Sequence, residues 1–283
     1  MRILFWIVVS IVTLTNTGLS QSADTPRFRS VVESRLKQYY RAELMKICPI
    51  DTDVVADRIF RDYGAIFVSN NGGQLPSRCI FDSEEDVQLF QRLMTPDVEY
   101  IGGTPVTLQK AAMSAFKAAR AEASKRRLTI SPRGGASAST RSYGTTTDLW
   151  RSRFIPGLKY WTSKGRIRKQ DAVTAQRAPI RQQVAMVLAW EREGLYFSTD
   201  MSKSILYSVA APGASQHIFM LALDVEQFGN KQVRQILAKH GWFQTVKSDL
   251  PHFTYIGVSE SELPSLGLRS EVVGGQTFWI PDM

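Results

Sequence analysis

Residues 215–225 read Ser215-Gln216-His217-Ile218-Phe219-Met220-Leu221-Ala222-Leu223-Asp224-Val225, and residues 249–258 read Asp249-Leu250-Pro251-His252-Phe253-Thr254-Tyr255-Ile256-Gly257-Val258. Each pairs a short apolar run, Met220–Val225 or Phe253–Val258, with a histidine, and each run is too short for a stable helix, so both read as buried strands. Similar runs at Leu195–Ser198 and Ile205–Val209 also read as strands, and one helix, Lys231–Lys239, interrupts the series. Upstream the pattern is helical. A helix is expected from Ser30, with Glu33 three residues on as a capping box, ending before Pro49. Further helices are expected after Ser83, over Thr107–Lys125, over Tyr143–Arg153 with a stop near Pro156, and over Pro179–Glu193, with Gly194 just past the end. Ala65–Val68 and Leu128–Ile130 read as strands, and Ser131–Thr140, rich in Gly, Ser and Ala, reads as a mobile loop. Helices first and strands last predict an α+β fold, with a small antiparallel sheet packed with helices and a helical N-terminal extension.

Length and composition agree with one ordinary folded domain. The chain has 283 residues, 43% hydrophobic and 22% charged, which excludes a disordered chain and a disulfide-stapled miniprotein. Residues 1–20 carry a single charge, Arg2, before the apolar run Ile3–Val9 and Ile11-Val12, with small residues at Gly18 and Ser20. This is the pattern of a secretory signal peptide cleaved before Gln21; the alternative is a retained anchor. The expected localisation is therefore secreted or periplasmic, with no stable membrane anchor after cleavage. In such a compartment the two cysteines, Cys48 and Cys79, are expected to form one disulfide, with buried free thiols as the alternative.

Thirty-five Lys+Arg against 26 Asp+Glu give a net charge of +9. Between Lys117 and Arg181 there are 16 basic residues and 3 acidic ones. This is either a solvated face or an attraction to an anionic surface or substrate carboxylate. Nucleic acid is not expected as a partner, since no motif for it is present and the leader directs the chain away from it.

The three histidines are His217, His240 and His252. A hydrolytic Zn2+ site takes three protein ligands from His and carboxylate and leaves a position for water, and His217, Asp224 and His252 supply such a set. Asp249, three residues before His252, is placed to accept the proton of an attacking water. The plainer alternative is that both histidines are hydrogen-bonded core residues. His240, in Lys239-His240-Gly241-Trp242, reads as a helix C-terminal residue, with Trp242 and Phe243 packing in the core. Tyr255 alternates with His252 along a strand and is expected to face away from the metal.

The ordered, two-part pattern Ser215-x-His217-x4-Ala222-x-Asp224, then Asp249-x-x-His252-Phe253-x-Tyr255-x-Gly257, resembles the SxHxxGxAxD … ExxH(F)xYxG pattern of zinc D-alanyl-D-alanine carboxypeptidases and dipeptidases. These are the VanY and VanX type enzymes of the LAS metallopeptidase group. Leu128-Thr129-Ile130-Ser131 and Arg141-Ser142-Tyr143 are similar to the family's upstream strand and its RSY segment, so the resemblance spans about residues 105–258 of a single domain over 21–283, with 24–100 as an extension. It implies that His217, Asp224 and His252 ligate Zn2+, that Asp249 stands for the catalytic Glu, and that Ser215 contacts substrate. Arg141 or Arg133 stands for the arginine that binds substrate and stabilises the transition state. The function implied is hydrolysis of D-amino-acid peptides of the cell wall, with peptidoglycan peptides as partners. The alternative is a peptidoglycan-binding protein of the same fold with weak or no activity. Two positions depart from the pattern: Met220 replaces a Gly, and Asp249 is one methylene shorter than Glu.

Overall fold

A computed structural model describes residues 27–247 and 249–283; the expected signal peptide lies outside them. The N-terminal extension is helical, with α1 (Phe28–Tyr40), α2 (Leu44–Ile47), α3 (Val54–Tyr63) and α4 (Glu84–Leu93). The hairpin β1 (Asp97–Ile101) and β2 (Thr104–Leu108) follows, then α5 (Lys110–Lys125), α6 (Tyr143–Ser163), α7 (Lys169–Arg177) and α8 (Ile180–Arg192). The last third holds β3 (Ala222–Asp224), α9 (Lys231–Lys239), β4 (Trp242–Phe243), β5 (His252–Tyr255), β6 (Leu268–Val273) and β7 (Gln276–Pro281). The class is α+β, and the expected small antiparallel sheet is present with strand order β3-β5-β4.

Local chemistry explains the helix ends. Asp53 caps α3 by accepting from the Val55 and Ala56 amides, Ser83 caps α4 through Asp86 N, and Asn230 caps α9 through Gln232 N and Val233 N. The expected cap at Ser30 is not used. The helix begins at Phe28, and the Ser30 hydroxyl donates to Arg27 O instead. Phe28 starts it because its ring is fully buried against Phe60, at 5.1 Å between centroids, and its amide donates to Asp282 O at 2.9 Å. The extension is thereby joined to the C-terminal strand.

Several expected elements differ. Ala65–Val68 is a 3-10 continuation of α3 rather than a strand, and all four side chains are buried, a pattern that a short apolar run cannot distinguish from a strand. Helix α6 runs through Pro156 to Ser163. Proline in a helix interior costs about 3 kcal/mol, but Trp150, Phe154 and Leu158 form a fully buried stripe along this helix, each contributing about 1.5–3 kcal/mol. Residues 195–198 and 205–209 form a loop and a 3-10 turn, because the buried Glu191 carboxylate accepts from Ser204 Oγ and Ile205 N and organises that segment. Residues 128–130 form no strand, and only Pro132 bridges to Val225. The segment 131–140 is pinned by Ser131 N to Gln227, Arg133 N to Asp224 O and Thr107 N to Ser139 Oγ.

Cys48 and Cys79 are bridged, with Cα atoms 5.2 Å apart, so the loop containing Asn70 and Gly73 is covalently closed onto the end of α2. The bridge is consistent with an oxidising compartment. No helix of the described residues is long and apolar enough to cross a membrane.

Two features position the site. In the three-stranded sheet Asp224 lies directly opposite His252, so both side chains project from one face. The 3-10 turn Gln216–Phe219 before β3 is anchored by Phe219, which packs on Phe81 and Phe90 at 5.7 and 5.5 Å. This turn is reached through Gly213, at φ 77°, where a Cβ would come within 1.9 Å of Phe81 O; no other residue fits there.

Candidate metal centre

His217 sits in the 3-10 turn, Asp224 ends β3 and His252 begins β5. Their polar atoms converge. His252 Nδ1 lies 3.0 Å from His217 Nε2 and 3.2 Å from Asp224 Oδ1, and His217 Nε2 lies 3.3 Å from the same oxygen. Both histidines are buried. The cross-strand pairing aims Asp224 at His252. The turn brings His217 in from the side, with the two rings nearly perpendicular at 80°.

Proton accounting limits what can fill this triangle. The Gln216 amide nitrogen donates to Tyr63 O at 2.7 Å, so its Oε1 is the atom that accepts from His252 Nε2 at 2.8 Å and from Thr254 Oγ1 at 2.5 Å. His252 is therefore protonated on Nε2, and in its neutral form presents a bare Nδ1 to the centre. His217 Nδ1 is buried with no partner among the described residues. Burial, followed by the charge of Arg141, pushes the His217 imidazole down to about 3, so it is neutral at pH 7. Burial opposes ionisation of Asp224, but the two histidines outweigh it and hold the carboxyl well below its usual range. Arg141 Nη2 also donates to Asp224 Oδ2 at 2.9 Å. His217 Nε2, His252 Nδ1 and Asp224 Oδ1 thus surround one point that must hold a proton or a cation.

The geometry suits a cation. A tetrahedral ion with bonds near 2.0–2.1 Å separates its ligand atoms by roughly 3.4 Å, and the three separations here are 3.0, 3.2 and 3.3 Å. His217, Asp224 and His252 can together hold a metal ion.

A cavity of about 220 Å3 opens on the two histidines, and Ser215, Asp249, Arg141 and Arg153 also line it. Asp249 is brought beside His252 by a tight turn in which His252 N donates to Asp249 O at 3.2 Å. Burial, reinforced by Asp224, raises the Asp249 carboxyl above its ordinary value, against the opposing influence of His252 and Arg141. Ser215 is buried in the cavity wall.

The two candidate arginines separate. Arg141 reaches the centre through Asp224 and is further held by Ser137 O. Arg133 points outward, pairing with Glu226 at 3.3 Å and lying over the Phe228 ring, and only its backbone amide touches the ligand strand. Met220 occupies the left-handed region, at φ 55°, the conformation that a glycine at this place would supply, and its side chain is 1% exposed. Tyr255 turns away from the centre onto Trp242, and Trp242 and Phe243 are buried. His240 caps the end of α9 and pairs with Glu122 at 3.0 Å.

Sequence reasoning assigned no role to Gln216, Thr254 or Arg153. Gln216 adjoins His217, and Thr254 lies two residues beyond His252 on the same strand face; these positions were the available signals. Comparison with protein-family models, with curated proteins and with solved structures finds no match for this chain.

Proposed function

We propose that the chain is an exported zinc peptidase that hydrolyses D-amino-acid-containing peptides of the bacterial cell wall, acting as a D-alanyl-D-alanine carboxypeptidase. The observation that carries this reading is the convergence of His217 Nε2, His252 Nδ1 and Asp224 Oδ1 with a half-buried carboxylate, Asp249, lining the same cavity. The order of these residues in the chain, and the resemblance it creates, supply the substrate class.

Zn2+, if bound there, would supply Lewis acidity toward a scissile carbonyl and lower the pKa of a water to about 7. The remaining work falls to the protein. His217, His252 and Asp224 would hold the ion, and Gln216 fixes the tautomer of His252. Asp249, its proton affinity raised by burial, accepts the proton of the attacking water and returns it to the leaving amine. Arg141 orients Asp224 and places positive charge beside the reacting carbonyl. The disulfide suits a chain that works outside the cytoplasm, and the basic middle of the sequence favours approach to an anionic wall.

Purified protein without its first 20 residues tests the reading when assayed in one preparation for zinc content and for D-alanine release from a muropeptide. One zinc per chain with D-alanine release supports it. Absence of metal from protein purified and reconstituted with Zn2+ overturns it. The shorter carboxylate at Asp249 favours one second reading, a peptidoglycan-binding protein with little or no hydrolysis. Zinc and muropeptide binding without product release selects that reading.

A further inference from the structure

Two arginines line the cavity, and they are not equivalent. Arg141 has its charge paired: Nη2 donates to the Asp224 carboxylate at 2.9 Å, and Nε donates to Ser137 O. Arg153 has no carboxylate partner among the described residues. Its Nε donates to Ser208 Oγ at 2.9 Å, and its Nη1 donates to Ser152 Oγ at 3.0 Å and, more weakly, to Ser152 O at 3.5 Å. Its Nη2 donates to nothing among the described residues, so part of the guanidinium fork remains unspent. A half-buried cation held by two serine hydroxyls and turned into a cavity is positioned for an anion that the protein itself does not provide.

Its surroundings define the rest of the ligand. Leu149, one turn before Arg153 on α6, lines the same cavity, and Leu206, Val209 and Ala210 complete an apolar wall. The cavity holds about 220 Å3, so the carboxylate of a bound peptide would lie beside this apolar wall.

Taking the peptidase reading as its premise, we propose that Arg153 receives the free α-carboxylate of the substrate's terminal residue. Selection of a free C-terminus over an internal or amidated one is then set by Arg153, with the terminal side chain against the apolar wall. Arg141, in this arrangement, belongs to the metal ligand and not to the substrate's end.

The test measures calorimetric binding of N-acetyl-D-alanyl-D-alanine and of its C-terminal amide to metal-free and zinc-loaded protein, with hydrolysis of both followed on the loaded form. The acid is expected to bind about 10- to 100-fold tighter than the amide, with or without zinc. Arg153→Gln should reduce that preference to within about 2-fold by raising Kd and KM for the acid alone, while zinc content and thermal unfolding stay unchanged. Arg153→Lys, which keeps the charge and loses the fork, should retain an intermediate preference, and it decides the matter if the glutamine variant does not fold. An undiminished preference in these variants, or equal binding of acid and amide by the native chain, overturns the proposal. An Arg153-dependent preference without hydrolysis of either peptide keeps the carboxylate site and removes the peptidase. Hydrolysis of both peptides with no preference does the reverse, and failure of both to bind removes both.

Discussion

Gln216 donates its amide N–H to the Tyr63 carbonyl while its oxygen accepts from His252 Nε2, so a residue of the 3-10 turn determines which ring nitrogen of a β5 histidine is free. Partners of this kind typically contribute 10- to 100-fold to metal affinity. Gln216→Leu is therefore expected to weaken zinc binding by about that factor without changing the ligand set, as measured by competition with a chromogenic chelator. Unchanged affinity would show that the tautomer needs no such partner.

Asp249→Asn should leave zinc stoichiometry intact and lower kcat by at least about 10^2-fold, because an amide cannot take the proton. Asp249→Glu lengthens the reach by one methylene. A gain in kcat marks the native carboxylate as too short, and a loss marks a turn at 249–252 adapted to aspartate. Steady-state D-alanine release reads both.

Met220→Gly combines two opposed effects. Relief of the left-handed backbone is worth about 1–2 kcal/mol, whereas emptying a site that is 1% exposed costs about 2–5 kcal/mol for a methionine truncation. Packing wins, so a net loss of about 1–3 kcal/mol is expected in urea unfolding.

Replacing Cys48 and Cys79 together by serine should cost about 3–4 kcal/mol, since the bridge spans 31 residues. Denaturant midpoints of the oxidised native protein and the double variant measure it. A difference below about 1 kcal/mol would mean that the unfolded chain is little constrained by the link.

Glu191 carries a pH signature. Burial raises its carboxyl above the ordinary 4.5, and the hydrogen bonds from Ser204 and Ile205 only partly offset this. The folded state then holds a proton that the unfolded chain has released. The stability this provides is full below about pH 4.5 and declines as pH rises through the raised folded value. Glu191→Gln should flatten that decline in melts taken between pH 4 and 7, at a pH-independent cost of about 1 kcal/mol for the altered hydrogen bonds.

The His217, Asp224 and His252 group, which could hold a metal ion, was legible because its residue types are few and ordered: three histidines in the whole chain, two of them each in a short run with an aspartate. Asp224 opposite His252 follows once both runs are read as antiparallel strands. Arg153 was not legible, since one of 35 basic residues acquires meaning only when Ser208 and the cavity wall come together around it. The hairpin β6–β7 carried a usable signal that was missed: Gly274-Gly275, both at positive φ, between alternating residues. Gly102-Gly103 marks β1–β2 in the same way. The misread segments at 65–68 and 205–209 share a cause, because short buried apolar runs take whichever backbone their tertiary neighbours complete.

The hydrogen bond from Phe28 N to Asp282 O makes the order of segments along the chain separable from the shape they build. With the first described helix and the last strand meeting at one pole, a short linker from residue 283 to residue 27 can close the body into a ring, and a cut between Gly102 and Gly103 can reopen it. Circularly permuted in this way, the molecule keeps His217, Asp224 and His252 on one uninterrupted stretch. Its new ends emerge at the tip of the β1–β2 hairpin, which offers a handle for tethering the protein away from the Phe28–Asp282 contact.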